Sequence, residues 1–280
     1  MSKNNVFLVV AFIMLSIVGL DAQENENNKV YDRALPFYAQ QALDKGYNLP
    51  LPYGISILYN YTEQDFILDD LSIYRKNGKE VELDAYVALH NAKPASHSVQ
   101  VKVDTYVFPF LNVFAMAGVI TGTTPLDVKI DIAGVDDTFF VEAALSGYNF
   151  TVGMMFATMI DHYFISVPIS YTYSLLERSY DYRTVVSVVP RVGNIMSLGE
   201  NGKIAIFMGA NYMDVDLSAK GGLILNSGEE LVYKIHQKNV DKWNMSFGYN
   251  WMFNDVVSWN FEAGFLSSRK SIITGLNYRY

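Results

Sequence analysis

The chain has 280 residues, a formal net charge of −8 and no cysteine. Charged residues make up 18% of the chain and aromatic residues 14%, whereas about 25% of residues are charged in an ordinary soluble domain. The acidic balance, with no basic patch, excludes nucleic acid as an expected partner, and the lack of cysteine excludes disulfides and thiolate metal sites.

The first feature in chain order is a short apolar run near the N-terminus. Lys3 precedes it, the run occupies residues 6–20, and residues 24–29 are strongly polar. This order is typical of a secretory signal peptide, and the run is short for a transmembrane helix, although an N-terminal anchor is the alternative. We therefore expect a signal peptide at residues 1–22, cleaved after Ala22, and a periplasmic lead-in segment at residues 23–52.

From residue 53 onwards, apolar and polar residues alternate with a period of two in one segment after another. Successive side chains of a strand point to opposite faces, so each segment has one apolar face and one small or polar face. The pattern is clearest at residues 243–252, 257–266 and 271–280, whose polar faces are rich in Gly, Ser and Asn. Their apolar faces carry the aromatic residues Trp243, Phe247, Trp251, Trp259, Phe261, Tyr278 and Tyr280.

Ten such segments have the length of about 9–11 residues that a tilted membrane strand needs. Besides the last three, they lie at residues 53–62, 98–108, 113–122, 148–158, 163–173, 183–191 and 203–213. Weaker patterns at residues 81–89 and 231–236 raise the number to twelve as the alternative. Pro168 lies within one segment and predicts a local bulge, because proline cannot donate to the strand ladder.

Outward aromatic rings with a small, polar inner face are what a lipid-facing barrel wall requires, and only a helix or a closed barrel can cross a bilayer. The sequence therefore predicts an all-β fold at residues 53–280, a transmembrane antiparallel up-and-down β-barrel of about ten strands. We expect it in the outer membrane of a Gram-negative bacterium, with the long connections outside. The expected partners are outer-membrane lipid and, through the C-terminal strand, the barrel-assembly machinery.

The inner faces of these segments carry few ionisable residues. We expect those residues to line or gate the lumen: Lys102, Asp104, Arg183, Arg191, Glu262 and Arg279. About sixteen strands make a wide water channel, whereas about eight leave room only for side chains, so ten strands lie near the filled limit. The function expected is a narrow passive channel or solute-uptake barrel. A closed structural or adhesive barrel that acts through its outer loops is the alternative.

The residues that could carry catalysis are sparse. His97 stands next to Ser98 and Asp161 next to His162, but nothing around Ser98 resembles the strained turn that presents a nucleophile. We therefore expect no catalytic residue, no metal ligand and no cofactor, and we do not expect an enzyme.

Three short motifs carry a resemblance to a known group of proteins. They are formed by Lys102, Asp104, Pro109, Phe110, Leu111, Asn112 and Val113, by Trp243 and Asn244, and by Glu262, Gly264, Phe265, Arg269, Lys270, Ser271, Gly275, Leu276, Tyr278, Arg279 and Tyr280. With these motifs the chain resembles a group of Gram-negative outer-membrane β-barrel proteins, most strongly over its last 40 residues. The resemblance implies the barrel fold and the outer-membrane location, and it implies no activity.

Overall fold

The computed structural model describes residues 30–75, 81–82, 87–90, 94–132, 135–177, 183–224 and 230–280. The expected signal peptide therefore lies outside the described residues. The barrel wall is built from β1 (Tyr53–Gln64), β5 (Ala95–Phe108), β6 (Leu111–Ile132), β7 (Val135–Ile160), β8 (Tyr163–Leu176), β9 (Arg183–Val188), β10 (Arg191–Ser197), β11 (Lys203–Ile224), β13 (Trp243–Met252), β14 (Val257–Phe265) and β15 (Arg269–Arg279). Strands β9 and β10 together make one wall strand, interrupted only at residues 189–190.

The wall is a closed antiparallel sheet of ten strands. Consecutive wall strands pair in chain order, and the last strand, β15, pairs with the first, β1, from Gly54 with Arg279 to Gln64 with Arg269. Both chain termini of the wall lie at one end, where Tyr53 and Tyr280 exchange backbone hydrogen bonds; we call it the terminal end and the opposite one the loop end. The predicted barrel and its ten strands are confirmed.

Four further strands form an extension at the loop end rather than wall strands. They are β2 (Phe66–Arg75), β3 (Val81–Glu82), β4 (Val87–His90) and β12 (Glu230–Asn239). Strand β12 pairs with the far part of β11 and with β2, while β4 pairs with the far part of β6. The strands at the weak patterns, β3, β4 and β12, thus lie outside the wall, and the twelve-strand alternative is wrong.

Two boundaries and one irregularity differ from the sequence-based expectations. Residues 123–132 and 135–147, expected between wall segments, continue β6 and β7 as paired strands, and residues 193–197, also expected between wall segments, belong to β10. The bulge expected at Pro168 is wrong, because β7 and β8 pair without any register shift. Val189 N donates to Pro168 O at 2.9 Å on the other side, so the ladder loses only the bond that proline cannot make.

The distribution of polarity is the reverse of that in a soluble core. Among the described residues, the buried hydrophobic side chains are only Ala39, Val189, Ala205, Phe207 and Val215, whereas 19 polar or charged residues are buried. Large apolar side chains are exposed along the outer face, such as Ile57 at 62% and Leu276 at 59%. Soluble domains bury their aliphatic residues and expose their charged ones. This barrel instead has a polar interior and an apolar outer face.

The lead-in segment packs against the terminal end of the wall. It contains a short helix, α1 (Ala39–Asp44). Just before this helix, the Tyr38 ring stacks on Phe108 and the Phe37 ring packs against it at a tilt, with centroids 6.0 and 5.9 Å away. Phe37 N also donates to Val107 O at 2.9 Å. Within the described part of the chain, no helix has the length and apolarity of a membrane span.

Candidate functional site: the barrel interior

Asp104 is the centre of a charged cluster inside the terminal end of the barrel. Its side chain is 1% exposed and accepts from Arg279 Nη2 at 2.5 Å, while Lys102 Nζ lies 3.1 Å from its other oxygen. Asn112 Nδ2 donates to the same carboxylate at 2.7 Å. We call Lys102, Asp104, Asn112 and Arg279 the terminal-end cluster; it joins strands β5, β6 and β15 and has one cation more than it has carboxylates.

Strand geometry explains why these residues meet. In the ladders of β1 with both neighbours, Gly54 is the partner of Asp104 on one side and of Arg279 on the other, so all three lie at one level. A Cβ atom on Gly54 would lie 2.7 Å from Asp104 Oδ1, inside van der Waals contact. The glycine therefore leaves the space across which the arginine reaches its carboxylate.

Arg279 also links the lead-in segment to the interior of the barrel. Its Nε donates to Leu51 O at 2.8 Å, and its guanidinium carbon lies 4.7 Å from the centre of the Tyr106 ring. The aromatic face attracts the cation, and the fork of the guanidinium serves the carboxylate and the backbone together. One side chain thus links the last wall strand, the inner cluster and the chain that precedes β1.

A second ion pair bridges wall strands that are not neighbours. Arg191 Nη2 on β10 lies 2.5 Å from Glu262 Oε2 on β14, and both side chains are largely buried. The Arg191 guanidinium carbon lies 5.2 Å from the centre of the Phe207 ring. Since β11 and β13 separate these strands in the sheet order, the pair passes through the interior and narrows it.

Arg183, the remaining residue expected in the lumen, is the first residue of β9 and pairs with Leu217 on β11. Its side chain lies outside the described residues.

The aromatic residues expected to face lipid lie on the outer face of the last three wall strands. Trp243, Phe247, Tyr278 and Tyr280 are exposed. The other three are half-buried by contacts in which Tyr249 packs on Trp259 at 5.4 Å and on Phe261 at 5.6 Å, and Trp251 packs on Phe253 at 4.8 Å. These ring pairs stabilise the outer face, because aromatic contacts with centroids about 5 Å apart are favourable.

The two histidine pairs considered for chemistry do not form a catalytic arrangement. His97 is on the outer face of β5, where the hydroxyl oxygen of Tyr59 lies 2.8 Å from His97 Nδ1, while the neighbouring Ser98 is buried inside. Adjacent strand residues point to opposite faces, so these two side chains have the barrel wall between them. Asp161 and His162 are both well exposed in the turn between β7 and β8.

Arg269 is an interior residue that the sequence reasoning missed. That reasoning placed it in the turn before the last strand, but β15 begins at Arg269, which has the same face as Ser271 and Arg279. Its Nη2 donates to Asn211 O at 2.8 Å, and it is 1% exposed. Continuing the period-two pattern two residues backwards from Ser271 would have placed it in the lumen.

Several buried interior atoms have no protein partner. Among the described residues these include Asn112 Oδ1 near the terminal end, Asn149 Oδ1 on β7, and Asn211 Oδ1 and Ser246 Oγ nearer the loop end. Buried polar atoms are nearly always hydrogen-bonded, to protein or to ordered water. These unpaired atoms are spread along the wall, so the interior is polar from the terminal end to the loop end.

No family model and no curated protein sequence matches the chain. Solved structures with a similar fold are outer-membrane barrels. The outer membrane protein OprG from Pseudomonas aeruginosa matches with a TM-score of 0.42 and 13% identity over 83% of this chain and 98% of that one. An outer membrane channel from Pseudomonas putida F1 matches with a TM-score of 0.37 and 12% identity over 82% and 96%. The Pseudomonas putida toluene transporter TodX matches with a TM-score of 0.31 and 7% identity over 87% and 90%. At such scores and identities the likeness carries no argument about activity.

Proposed function

We propose that the barrel spans the outer membrane of a Gram-negative bacterium and is a narrow passive conduit for small solutes. The observation that carries this proposal is the polar interior inside an apolar wall. Buried atoms such as Asn149 Oδ1 and Asn211 Oδ1 lack a partner within the described part of the chain, and the exposed rows that contain Ile57 and Leu276 suit hydrocarbon. The terminal end faces the periplasm in this proposal, and the longer loop-end extension faces outwards.

The constriction of this conduit is formed by the ion-paired residues. Arg191 and Glu262 reach across the interior, and the terminal-end cluster occupies the interior next to the periplasmic exit. Paired charges suit a narrow polar passage, because the carboxylates of Glu262 and Asp104 offset part of the desolvation cost of Arg191, Lys102 and Arg279. A ten-stranded barrel narrowed by these side chains would admit ions and small polar molecules rather than bulky ones.

Conductance of the refolded full chain in planar bilayers tests the proposal. We expect small, discrete current steps whose size rises with salt concentration. The double variant Arg191→Ser with Glu262→Ser removes both partners at once, so it leaves no unpaired charge, and it should give larger steps. The double variant Asp161→Ser with His162→Ser removes an exposed pair in a terminal-end turn and should leave the step size unchanged. A silent wild-type barrel would refute the conduit.

The loop-end extension favours a second candidate, a closed barrel that acts through its outer surface. Strand β11 continues beyond the wall and pairs with β12, which in turn pairs with β2. A simple connection between wall strands would not require such a sheet. Gln64 N donates to Pro94 O, so a short Gly/Ser link can replace residues 66–93 without moving the wall. If this candidate holds, the replacement abolishes adhesion of cells that display the barrel, whereas for a conduit it leaves the current steps intact.

A further inference from the structure

Within the part of the chain that the structure describes, Arg269 has no carboxylate partner, unlike Lys102, Arg191 and Arg279. Lys102 and Arg279 share Asp104, and Arg191 has Glu262. Arg269 is the largest fully buried side chain of the described residues, and no acidic residue among them pairs with it. Its Nη2 donates to Asn211 O, while Nε and Nη1 have no partner.

The atoms around this guanidinium are also unsatisfied. Gln64 is the ladder partner of Arg269 on β1 and is buried, and its Oε1 has no partner. Asn211 accepts the arginine's one hydrogen bond with its backbone oxygen, while its side-chain Oδ1 is unpaired. Asn244 Nδ2 on β13 donates to Arg269 O at 2.9 Å and holds the backbone of this first residue of β15. The loop end therefore holds a buried group of unpaired polar atoms with a spare positive charge.

An isolated buried charge is costly, and proteins rarely bury an arginine unless something compensates it. Water alone satisfies the two N–H groups but supplies no negative charge. A guanidinium edge is suited to oxyanions, since its planar donors match the oxygens of a carboxylate. The missing partner therefore has the chemistry of an anion.

We propose that Arg269 binds the carboxylate group of a small anionic solute at the loop end of the conduit, with Gln64 and Asn211 contacting its polar remainder. This inference rests on the conduit proposed above, and it adds the class of solute. Among the described interior residues, the cations Lys102, Arg191, Arg269 and Arg279 exceed the carboxylates Asp104 and Glu262, which favours anions along the rest of the passage. Entering from outside, an anion meets Arg269 before it reaches the ion-paired constriction.

Binding is tested without any need for conduction. Thermal unfolding of the full chain in detergent micelles is followed with acetate, with succinate and with the neutral isostere acetamide, at matched ionic strength. The carboxylates should raise the unfolding temperature in a saturable way and acetamide should not. In Arg269→Gln the apparent affinity for acetate should fall about tenfold or more, as expected for the loss of a charge-assisted hydrogen bond.

Lys270→Gln is the matched control. It removes the same charge from the next residue of β15, whose side chain is 75% exposed on the outer face and lies 3.7 Å from Glu63. Its acetate response should equal that of the wild type. Arg269→Lys keeps the charge without the fork and should bind with intermediate affinity, which also guards against a fold defect in the glutamine variant. An equal response in all variants, or no response in the wild type, would overturn the inference.

Reversal potentials in a gradient of potassium chloride distinguish this inference from the conduit itself. The wild type and Lys270→Gln should be anion-selective, and Arg269→Gln should be less so. A silent bilayer with Arg269-dependent acetate stabilisation would refute the conduit and leave the site standing. Current steps with no such stabilisation would leave the conduit standing and refute the site.

Discussion

At the scale of single residues, the stability of the barrel depends on the interior carboxylates, which are fewer than the interior cations among the described residues. Asp104 accepts from both Arg279 and Asn112 and lies beside Lys102. Removing one partner of a buried ion pair leaves the other charge unpaired, and that cost exceeds the value of the pair itself. The stability of the barrel is therefore more sensitive to the loss of Asp104 than to the loss of any exposed carboxylate.

Asp104→Asn tests this dependence. The substitution keeps the shape of the side chain and removes its charge, so Lys102 and Arg279 lose their shared counter-charge. We expect a loss of about 3–5 kcal/mol in the free energy of unfolding, measured by urea titration of the barrel in lipid vesicles. Asp161→Asn is the control, because the Asp161–His162 pair is exposed and such pairs contribute about 1 kcal/mol or less. Equal effects of the two substitutions would contradict the role of Asp104.

The residues of the site could be predicted from the sequence only as far as their face. Alternation along residues 98–108 is enough to assign Lys102 and Asp104 to the same side of a strand. The alternation does not predict that Asp104 pairs with Arg279 rather than with Arg191, because this pairing depends on the ladder register between β1, β5 and β15. Arg269 was missed for a different reason, since it lies beside Ser267 and Ser268, which read as a turn.

At the scale of elements, the lead-in segment is held by rings at the terminal end. Phe108 is stacked on Tyr38 and on Phe110, and it also contacts Phe37. Three hydrogen bonds also hold the segment, from Phe37 N to Val107 O, from Tyr106 N to Pro52 O and from Arg279 Nε to Leu51 O. The rings of Phe37 and Tyr38 are its aromatic contact with the end of β5.

Phe108→Ala should release the segment without unfolding the wall. Loss of the stack frees the helix α1 and the bond after Lys45 from the wall, so this segment can unfold locally and trypsin should cut there much faster than in the wild type. Cleavage is measured by mass spectrometry of the refolded barrel over time. Phe253→Ala is the control, because it removes another terminal-end ring, which contacts Trp251 and not the segment. Similar cleavage in both variants, or unfolding of the wall in the first, would contradict this description.

The extents of the strands show where sequence patterns fail at this scale. The wall portions of β6 and β7 were predicted, but both continue as one hairpin to Ile132 and Val135. In the proposed membrane location the strands leave the bilayer beyond the wall, so no lipid constrains one face and the strict alternation of a wall strand is not required. The same reasoning explains why β12 gave only a weak pattern and why its partners, β11 and β2, could not be inferred.

At the scale of the whole molecule, closure was predictable and its details were not. Ten alternating segments with an apolar side imply a barrel, because any open edge would leave backbone groups unsatisfied in lipid. The polar interior and the apolar exterior then follow from the alternation, as the exposure of Ile57 and the burial of Ser56 show. The pairing of β15 with β1, which joins the two ends of the chain, has no local signal in the sequence.

The membrane location makes a depth-dependent prediction on the outer face of β1. Ile57 lies in the middle of the outward row that begins at Tyr53, and it is flanked by Val101 and Leu276 on the neighbouring strands. An arginine at the bilayer midplane costs about 2–4 kcal/mol in a barrel, and one near the interface about 0–1 kcal/mol. Ile57→Arg should therefore reduce the free energy of folding into lipid vesicles by several-fold more than Tyr53→Arg, as measured by urea titration.

Tyr53→Arg is matched to this variant because both positions are on one face of one strand, about 13 Å apart along it. If water surrounded the wall, Ile57→Arg would leave the free energy of folding almost unchanged, because an exposed arginine in place of an exposed isoleucine is harmless in water. If hydrocarbon surrounds the wall, the two arginines differ in lipid and their order follows their depth. Equal and small effects would mean that water surrounds the wall, and both the membrane location and the conduit would then be wrong.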